Sequence, residues 1–272
     1  MAPLVSIVLP VYAPHPQYFR EAVRSILDQT VPDLELIIVE DPSPSSGEEI
    51  LSGLGDARVR HQVNPARTSL PEQHNRGLAL AAGRFLCRFD ADDISEPHRV
   101  ERQLEFLRAH PDVNVVSSAL LVIDEEGTAI AVRNYPLSHE AIRRTFRRSN
   151  PIANSAVMFR REVYDRFGGW RTDSPLPAQD YEWYSRLAAA GVRFANLPDP
   201  LVRYRLHSGA IKATKVRDTI RSTVETKRRY WTAEMSLMDR LVLLGERMLV
   251  HAPPSLVLMA FRRMKLQRRR RT

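Results

Sequence analysis

The stretch Phe85-Leu86-Cys87-Arg88-Phe89-Asp90-Ala91-Asp92-Asp93 decides the fold class. It opens as a short, mostly apolar run and ends in three carboxylates within four residues. Residues 4–9 (LVSIVL) and 35–39 (ELIIV) are runs of the same kind. Runs this continuous read as strands covered on both faces, the pattern of parallel sheets. Between them the period changes. In residues 16–29, Phe19, Val23, Ile26 and Leu27 fall on one helical face. Residues 71–82 read as a second helix, opened by Pro71 and closed by Gly83. With a short strand near residues 58–62, the order is a βαβ alternation. It predicts an α/β protein: a doubly wound, mixed but mostly parallel sheet flanked by helices, with ligands at the carboxyl ends of its strands.

Further along, Ser95 is placed to cap a helix over residues 98–110, with Pro97 in its first turn and Val100, Leu104 and Leu107 inward. Residues 114–123 read as a long strand, 124–127 as a hairpin turn and 154–159 as another strand. A short helix then runs to Phe167, followed by Gly168-Gly169. Residues 179–190 are helical and 201–204 form a short strand. From about Arg217 the pattern is amphipathic helix, broken at Pro253-Pro254.

The chain has 272 residues, enough to bury a core without disulfides or a structural metal. Its single cysteine, Cys87, excludes an internal disulfide and fits a reducing compartment. The unusual number is the net charge of +8. It is not spread evenly. Residues 216–272 hold 14 Lys+Arg against 5 Asp+Glu, and residues 1–215 hold 26 against 27. A near-neutral body argues against nucleic acid as a partner. Met1-Ala2-Pro3 lacks the basic region of a signal peptide. In residues 241–261, Glu246, Arg247 and Pro253-Pro254 interrupt what would otherwise be a candidate membrane span.

Four positions carry possible chemistry. Carboxylates crowded at Asp90-Ala91-Asp92-Asp93 repel unless a cation neutralises them, and Mg²⁺ or Mn²⁺ favours such oxygens together with phosphates. The alternative is an exposed acidic turn ahead of the next helix. Glu40-Asp41 follows the second strand, where an acid can accept hydrogen bonds from a base or ribose, or simply start a turn. Asp180, at the start of a helix, can act as a general base or merely complement the helix dipole. Arg205 and His207 alternate to one side of an extended segment, facing either a diphosphate or metal, or only solvent.

Taken in order, these pieces resemble glycosyltransferase family 2, whose members are inverting sugar transferases of GT-A fold. The matching residues are Val5 through Tyr12, Ile37-Ile38-Val39-Glu40-Asp41, Asn75-Arg76-Gly77, Phe89-Asp90-Ala91-Asp92-Asp93, Asn150-Pro151, Ser155 through Arg161, Gly168-Gly169-Trp170, Gln179-Asp180 and Tyr204-Arg205-Leu206-His207. They span roughly residues 4–210.

The resemblance implies three parts: residues 1–115 as the nucleotide-sugar half, 116–212 as the acceptor half and 213–272 as a basic helical extension. It implies that Pro10 and Tyr12 line the nucleotide base and that Asp41 reads it. Asp90, with Ala91, would contact the ribose side of the donor. Asp92 would hold the divalent metal, with His207 assisting and Arg205 beside the diphosphate, and Asp180 would be the base. The reaction implied is hexosyl transfer from a nucleotide-sugar, a UDP-sugar in expectation, to a hydroxyl of a glycan or lipid-linked acceptor in cell-envelope polysaccharide assembly.

Four positions depart from the family pattern. Asp41-Pro42-Ser43-Pro44-Ser45 stands for the usual Asp-Gly-Ser-Xaa-Asp, Ala13 for an Asn, Gln179 for an acid and Asn154 for a His. Residues 241–272 read as interfacial helices with a polybasic end, suited to an anionic membrane surface at the cytoplasmic face; packing on the catalytic body is the alternative. A nucleotidyltransferase would share the acidic sheet edge, but Pro10-Val11-Tyr12 stands where its Gly-rich phosphate loop belongs. A non-catalytic carbohydrate- or membrane-binding relative is the other rival.

Overall fold

The computed structural model describes residues 2–173, 177–207, 213–253 and 257. In chain order the strands are β1 (Val5–Val11), β2 (Leu34–Glu40), β3 (Val59–Val63), β4 (Phe85–Arg88), β5 (Ile94–Ser95), β6 (Val115–Ile123), β7 (Ala129–Arg133), β8 (Met158–Arg160) and β9 (Phe194–Arg205). The helices are α1 (Pro16–Leu27), α2 (Gly47–Ile50), α3 (Leu70–Leu80), α4 (Arg99–Ala109), α5 (His139–Phe146), α6 (Arg161–Phe167), α7 (Gln179–Ala189), α8 (Ala213–Tyr230) and α9 (Leu237–His251).

The strands form one sheet in the order β3-β2-β1-β4-β8-β6-β9-β5, with β7 paired to β6. Strands β3, β2, β1 and β4 are parallel, and so are β6 and β9. The inserted β8 runs antiparallel to both β4 and β6. This is the mixed, mostly parallel, helix-flanked sheet expected. The three apolar runs are its centre because each is buried on both faces. Val8, Ile37, Val39 and Leu86 join one hydrophobic layer. Ile7, Leu9, Leu36, Ile38 and Cys87 join the other, under α1 and α4.

Two glycines set how closely α3 and its exit approach the sheet. A Cβ on Gly77 would meet Val8 Cγ1 at 2.2 Å, and one on Gly83 would meet the Ser6 backbone N at 2.5 Å. Gly83 therefore serves close packing, after a helix that has already ended at Leu80.

Several local readings give way to long-range pairing. Ser95 lies in β5, where its hydroxyl accepts from Gln29 Nε2 at 3.1 Å; His98 is the N-cap of α4. Residues 154–159 begin as a 3₁₀ turn, Asn154–Ala156, before the short β8. The strand read over 201–204 is the end of the twelve-residue β9, which stays paired to β6 across two register shifts beside Pro198 and Pro200.

Among the described residues the basic extension is broken between Tyr230 and Leu237, ahead of the end of α9 at His251. Between α8 and α9, Ser236 and Asp239 form a capping box that restarts the helix. Val216, Ile220, Val224, Trp231, Met235, Leu243 and Val250 share the hydrophobic layer that contains Phe146, Tyr181 and Trp183. Trp231 stacks on Phe146, centroids 5.5 Å apart, and donates to Ser185 Oγ at 3.1 Å. The described part of the extension thus packs on the body. The basic run Arg268–Arg271 lies outside the described residues. Among the described residues no helix is long and apolar enough to cross a membrane.

Candidate active site

The carboxyl ends of β1, β2 and β4 meet along one edge of the sheet, where the parallel order turns around β1. The ladder between β1 and β4 ends at Val8–Arg88, so Pro10 lies beyond its last partner on that side. Tyr12 follows, 45% exposed, with the Arg67 guanidinium 4.0 Å from its ring centroid. Ala13 carries a left-handed φ of 47° and donates its N–H to Ser43 Oγ at 3.2 Å. Ser45 Oγ in turn donates to the Pro14 carbonyl at 2.9 Å. The serines of the Asp41-Pro42-Ser43-Pro44-Ser45 loop thereby lace it to the loop after β1.

Asp41 reaches this edge, but its carboxylate is already engaged. Asn64 Nδ2 and the Thr68 backbone N–H each donate to it at 2.7 Å, and the Thr68 hydroxyl at 2.9 Å. Burial works to raise its pKa, and these donors, with Gln73, outweigh burial and hold it below the ordinary value. Arg76 donates to Asn64 Oδ1 at 2.6 Å, which extends the network. The structure therefore places Asp41 as the organiser of the loop ahead of α3.

Asp90 is similarly occupied. Arg88, two residues earlier and buried, pairs with both its oxygens in fork geometry. The third guanidinium donor, Nε, points at His74 Nε2 at 3.3 Å. That contact requires an accepting Nε2, hence the tautomer protonated at Nδ1. Burial, then the Arg88 charge, holds His74 well below its usual pKa and so neutral. Its ring packs on Trp170, 4.6 Å between centroids, and Trp170 stacks on Trp183 at 4.2 Å. Asn75 brackets the Trp170 backbone, donating to its carbonyl at 2.7 Å and accepting from its N–H at 2.8 Å. The Asn75 and Gly168-Gly169-Trp170 motifs, far apart in sequence, are thus the support behind Arg88.

Asp92 faces outward. Its Oδ2 lies 2.6 Å from His207 Nε2, and both side chains are nearly half exposed. Asp93 points inward, accepts the Arg205 N–H at 3.0 Å, and is pushed well up in pKa by burial and by Asp90 and Asp92. Arg205 corrects its expected role. Its guanidinium is buried and donates to the Asp92 carbonyl at 3.0 Å, the Glu125 carbonyl at 2.8 Å and Glu21 at 2.7 Å, with Tyr18 4.2 Å away. Donors turned into these groups are not available to a diphosphate, so Arg205 fixes the backbone of Asp92 instead. His207, which also packs near Tyr18, is the residue of that segment that faces the site.

Asp180 is the second residue of α7, which starts at Gln179 just after Ala178, whose φ of 66° turns the chain into the helix. Asn150 donates to its Oδ2 at 2.8 Å. Burial raises the Asp180 pKa, against the lowering pull of the helix-start N–H of Tyr181, the Arg88 charge and the Asn150 bond. Asp90, itself raised chiefly by burial, also feels the Asp180 charge. The structure therefore gathers Asp90, Asp180 and Arg88 into one electrostatic unit. Tyr184 belongs to it as well, its hydroxyl bonded to Asn154 Oδ1 at 2.8 Å and its pKa pushed well up by burial and Asp180. Ala13, in the loop after β1, and Ala178, two residues before Asp180, are the two non-glycine residues with positive φ among the described residues.

The Asp92–His207 pair offers one carboxylate and one imidazole, a donor set that suits a divalent cation with positions left for phosphate oxygens. Among the described residues there is no cluster of three or more metal-binding side chains. The protein would supply a partial shell and a bound substrate the rest.

The glycosyl transferase family 2 model matches residues 6–168, more than half of the chain. The chain belongs to glycosyltransferase family 2. It is 32% identical over 217 residues to an uncharacterized glycosyltransferase of Haemophilus influenzae, covering 75% of this chain and 66% of that one. It therefore spans just under two thirds of that relative's length. It is 26% identical over 215 residues to the amylovoran biosynthesis glycosyltransferase AmsE of Erwinia amylovora, covering 78% and 80%.

Among solved structures, it resembles the mannosyltransferase PcManGT of Pyrobaculum calidifontis in complex with GDP-Man and Mn²⁺, with a TM-score of 0.63, 18% identity and coverage of 95% and 72%. It also resembles S. aureus TarS 1-349 in complex with UDP-GlcNAc, with a TM-score of 0.65, 15% identity and coverage of 92% and 72%. These likenesses show a GT-A fold.

Proposed function

We propose that this glycosyltransferase moves a hexosyl group from a nucleotide-sugar, a UDP-sugar by our reading, to a hydroxyl of a glycan or lipid-linked acceptor, with inversion at the anomeric carbon. One observation carries the reading. A raised carboxylate, Asp180, and an outward carboxylate–imidazole pair, Asp92–His207, belong to one strand-end site, and both couple to the Arg88–Asp90 unit. An acceptor hydroxyl is a poor nucleophile until a base removes its proton, and Asp180 fits that task. Asn150 holds one of its oxygens, which orients the carboxylate.

Asp92 and His207 are the residues that would hold Mn²⁺ or Mg²⁺, which when bound neutralises charge growing on the departing diphosphate. Tyr12 and Arg67 would face the base, with Asp41 shaping the loop beneath it. A single base without a covalent nucleophile implies one in-line displacement. PcManGT holds a nucleotide-sugar with Mn²⁺ and AmsE is named for amylovoran biosynthesis; a nucleotide-sugar donor and a biosynthetic setting are consistent with these two. The lone free cysteine, buried Cys87, suits a reducing compartment, and we place the reaction at the cytoplasmic face of a membrane.

The test is a panel of nucleotide-sugars with Mn²⁺, scored for nucleoside diphosphate release and for product configuration by NMR. We expect a nucleoside diphosphate and an inverted linkage. Pyrophosphate release would make the protein a nucleotidyltransferase, a retained linkage would remove the single displacement, and no turnover with any donor would favour a binding protein.

A further inference from the structure

Helix α9 is apolar on two sides. Its inward side seats Leu243 and Val250 on the body and carries the helix's two acids, both paired: Asp239 accepts from Arg148 at 2.5 Å and Glu246 from Lys227 at 2.7 Å. At 100° per residue, Leu237, Leu241, Leu244 and Met248 fall about 100–160° around the helix from Leu243, turned away from that seat. They are 77%, 53%, 51% and 68% exposed, with Met238 beside them at 59%. The strip runs about 16 Å along the helix at 1.5 Å per residue. Arg240, Arg247 and His251, all exposed, border one flank. The outward surface of α9 therefore carries large apolar side chains and basic ones, while its acids are turned away.

We infer that this strip docks on an anionic lipid surface, with α9 lying in the plane of the headgroups. An exposed patch of contiguous large apolar side chains marks an interaction site rather than ordinary surface. The basic flank, and 14 Lys+Arg against 5 Asp+Glu in residues 216–272, set the sign of the partner. A bilayer interface presents hydrocarbon and anionic phosphate at adjacent depths over a flat area. That is the match for one apolar strip with a basic edge and no outward acid. The helix is too short and too mixed to span, so the contact is peripheral. Sequence expectation placed membrane contact broadly over residues 241–272; the structure assigns it to one side of α9, beginning at Leu237. The inference does not depend on the transfer chemistry.

The full chain is mixed with vesicles of phosphatidylcholine alone, and with vesicles containing equal phosphatidylglycerol, then sedimented. The native protein is expected to pellet with the anionic vesicles and to be released by high salt. The combination Leu237→Ser, Leu241→Ser, Leu244→Ser and Met248→Ser is expected to weaken binding by about tenfold or more, since affinity scales with buried apolar area. Its melting temperature should stay close to native. Should the combination fail to fold, Met248→Ser alone still reads the strip, with an expected loss of about twofold to threefold.

Native-like binding by these variants would overturn the assignment, and so would absence of native binding to anionic vesicles. A concentration-dependent dimer that the serine variants disperse, without vesicle binding, would make a second copy the occupant and also overturn it. Nucleoside diphosphate release, measured in the same variants, reports separately on the transfer reaction.

Discussion

Asp90 and Asp92 stand two residues apart on one loop in contrasting surroundings. Asp90 is gripped on both oxygens by buried Arg88, which His74, Trp170 and Asn75 hold from behind. Asp92 lies at the surface with His207 beside one oxygen. The same division separates Asp41, saturated by Asn64 and Thr68, from Asp180, which Asn150 holds through one oxygen. Carboxylates whose lone pairs the protein fills build the walls of the site, and those left partly open are the ones able to meet a metal or an acceptor proton.

The largest effect that would break this division is at Asp180. Asp180→Asn is expected to lower turnover by about a thousandfold while leaving donor affinity within a factor of a few, because it removes a general base without removing volume. Steady-state turnover with donor titration checks it, and near-native turnover would take the role of base away from Asp180. Next comes Asp92→Ala, expected to cost about a hundredfold in kcat/KM and to abolish the effect of Mn²⁺ on donor binding. Its unfolding midpoint in urea should barely move, since Asp92 is an exposed partner. An unchanged Mn²⁺ dependence would return Asp92 to the role of a surface acid.

Arg88→Met should do the reverse and strike stability. It strands Asp90 and Asp180 without their buried counter-charge, at a cost of about 3 kcal/mol in denaturant unfolding. Adding Asp90→Leu should recover much of that loss, and a double-variant cycle showing no coupling would refute the wall-building role of the pair.

A pH profile sharpens the comparison further. Burial raises the Asp180 pKa above the ordinary 3.8, and a base works only when deprotonated. Activity should therefore rise with pH through an acid limb lying above 3.8, and a limb at or below that value would count against the assignment. Smallest is Ala13→Asn. Asparagine accepts the left-handed φ of 47° more readily than alanine, so a gain of about 0.5 kcal/mol is expected in thermal unfolding.

Much of this was legible in the sequence. The central strands show as apolar runs because each is buried on both faces, and α1 and α4 show through the spacing of Phe19, Val23 and Ile26 and of Val100, Leu104 and Leu107. The acids at strand ends are legible because a strand end is a local feature. Helix α5, with two arginines and a glutamate in eight residues, has an apolar side of only Ile142 and Phe146 and gives little local signal. The first part of strand β9 is hidden in the sequence because Pro198 and Pro200 look like breakers until β6 supplies a partner across the irregularity. Arg88, His74 and Tyr184 carried no signal of their own; Asn150, like Asn75 and Trp170, showed only as part of the family pattern, without its role.

What the sequence by itself determined is what depends on near neighbours: periodicity, the βαβ order, the acidic strand ends and the concentration of positive charge after residue 215. What only the tertiary structure decided is which of those acids is satisfied, that Arg205 turns inward while His207 pairs with Asp92, and that α9 has a second, exposed apolar side. The reason is physical. A hydrogen-bond partner for Asp41 comes from Asn64 and Thr68, one for Asp180 from Asn150, and one for Arg205 from Glu21. Each is fixed by strand pairing and helix packing between residues distant in the chain, and local residue pattern does not encode it.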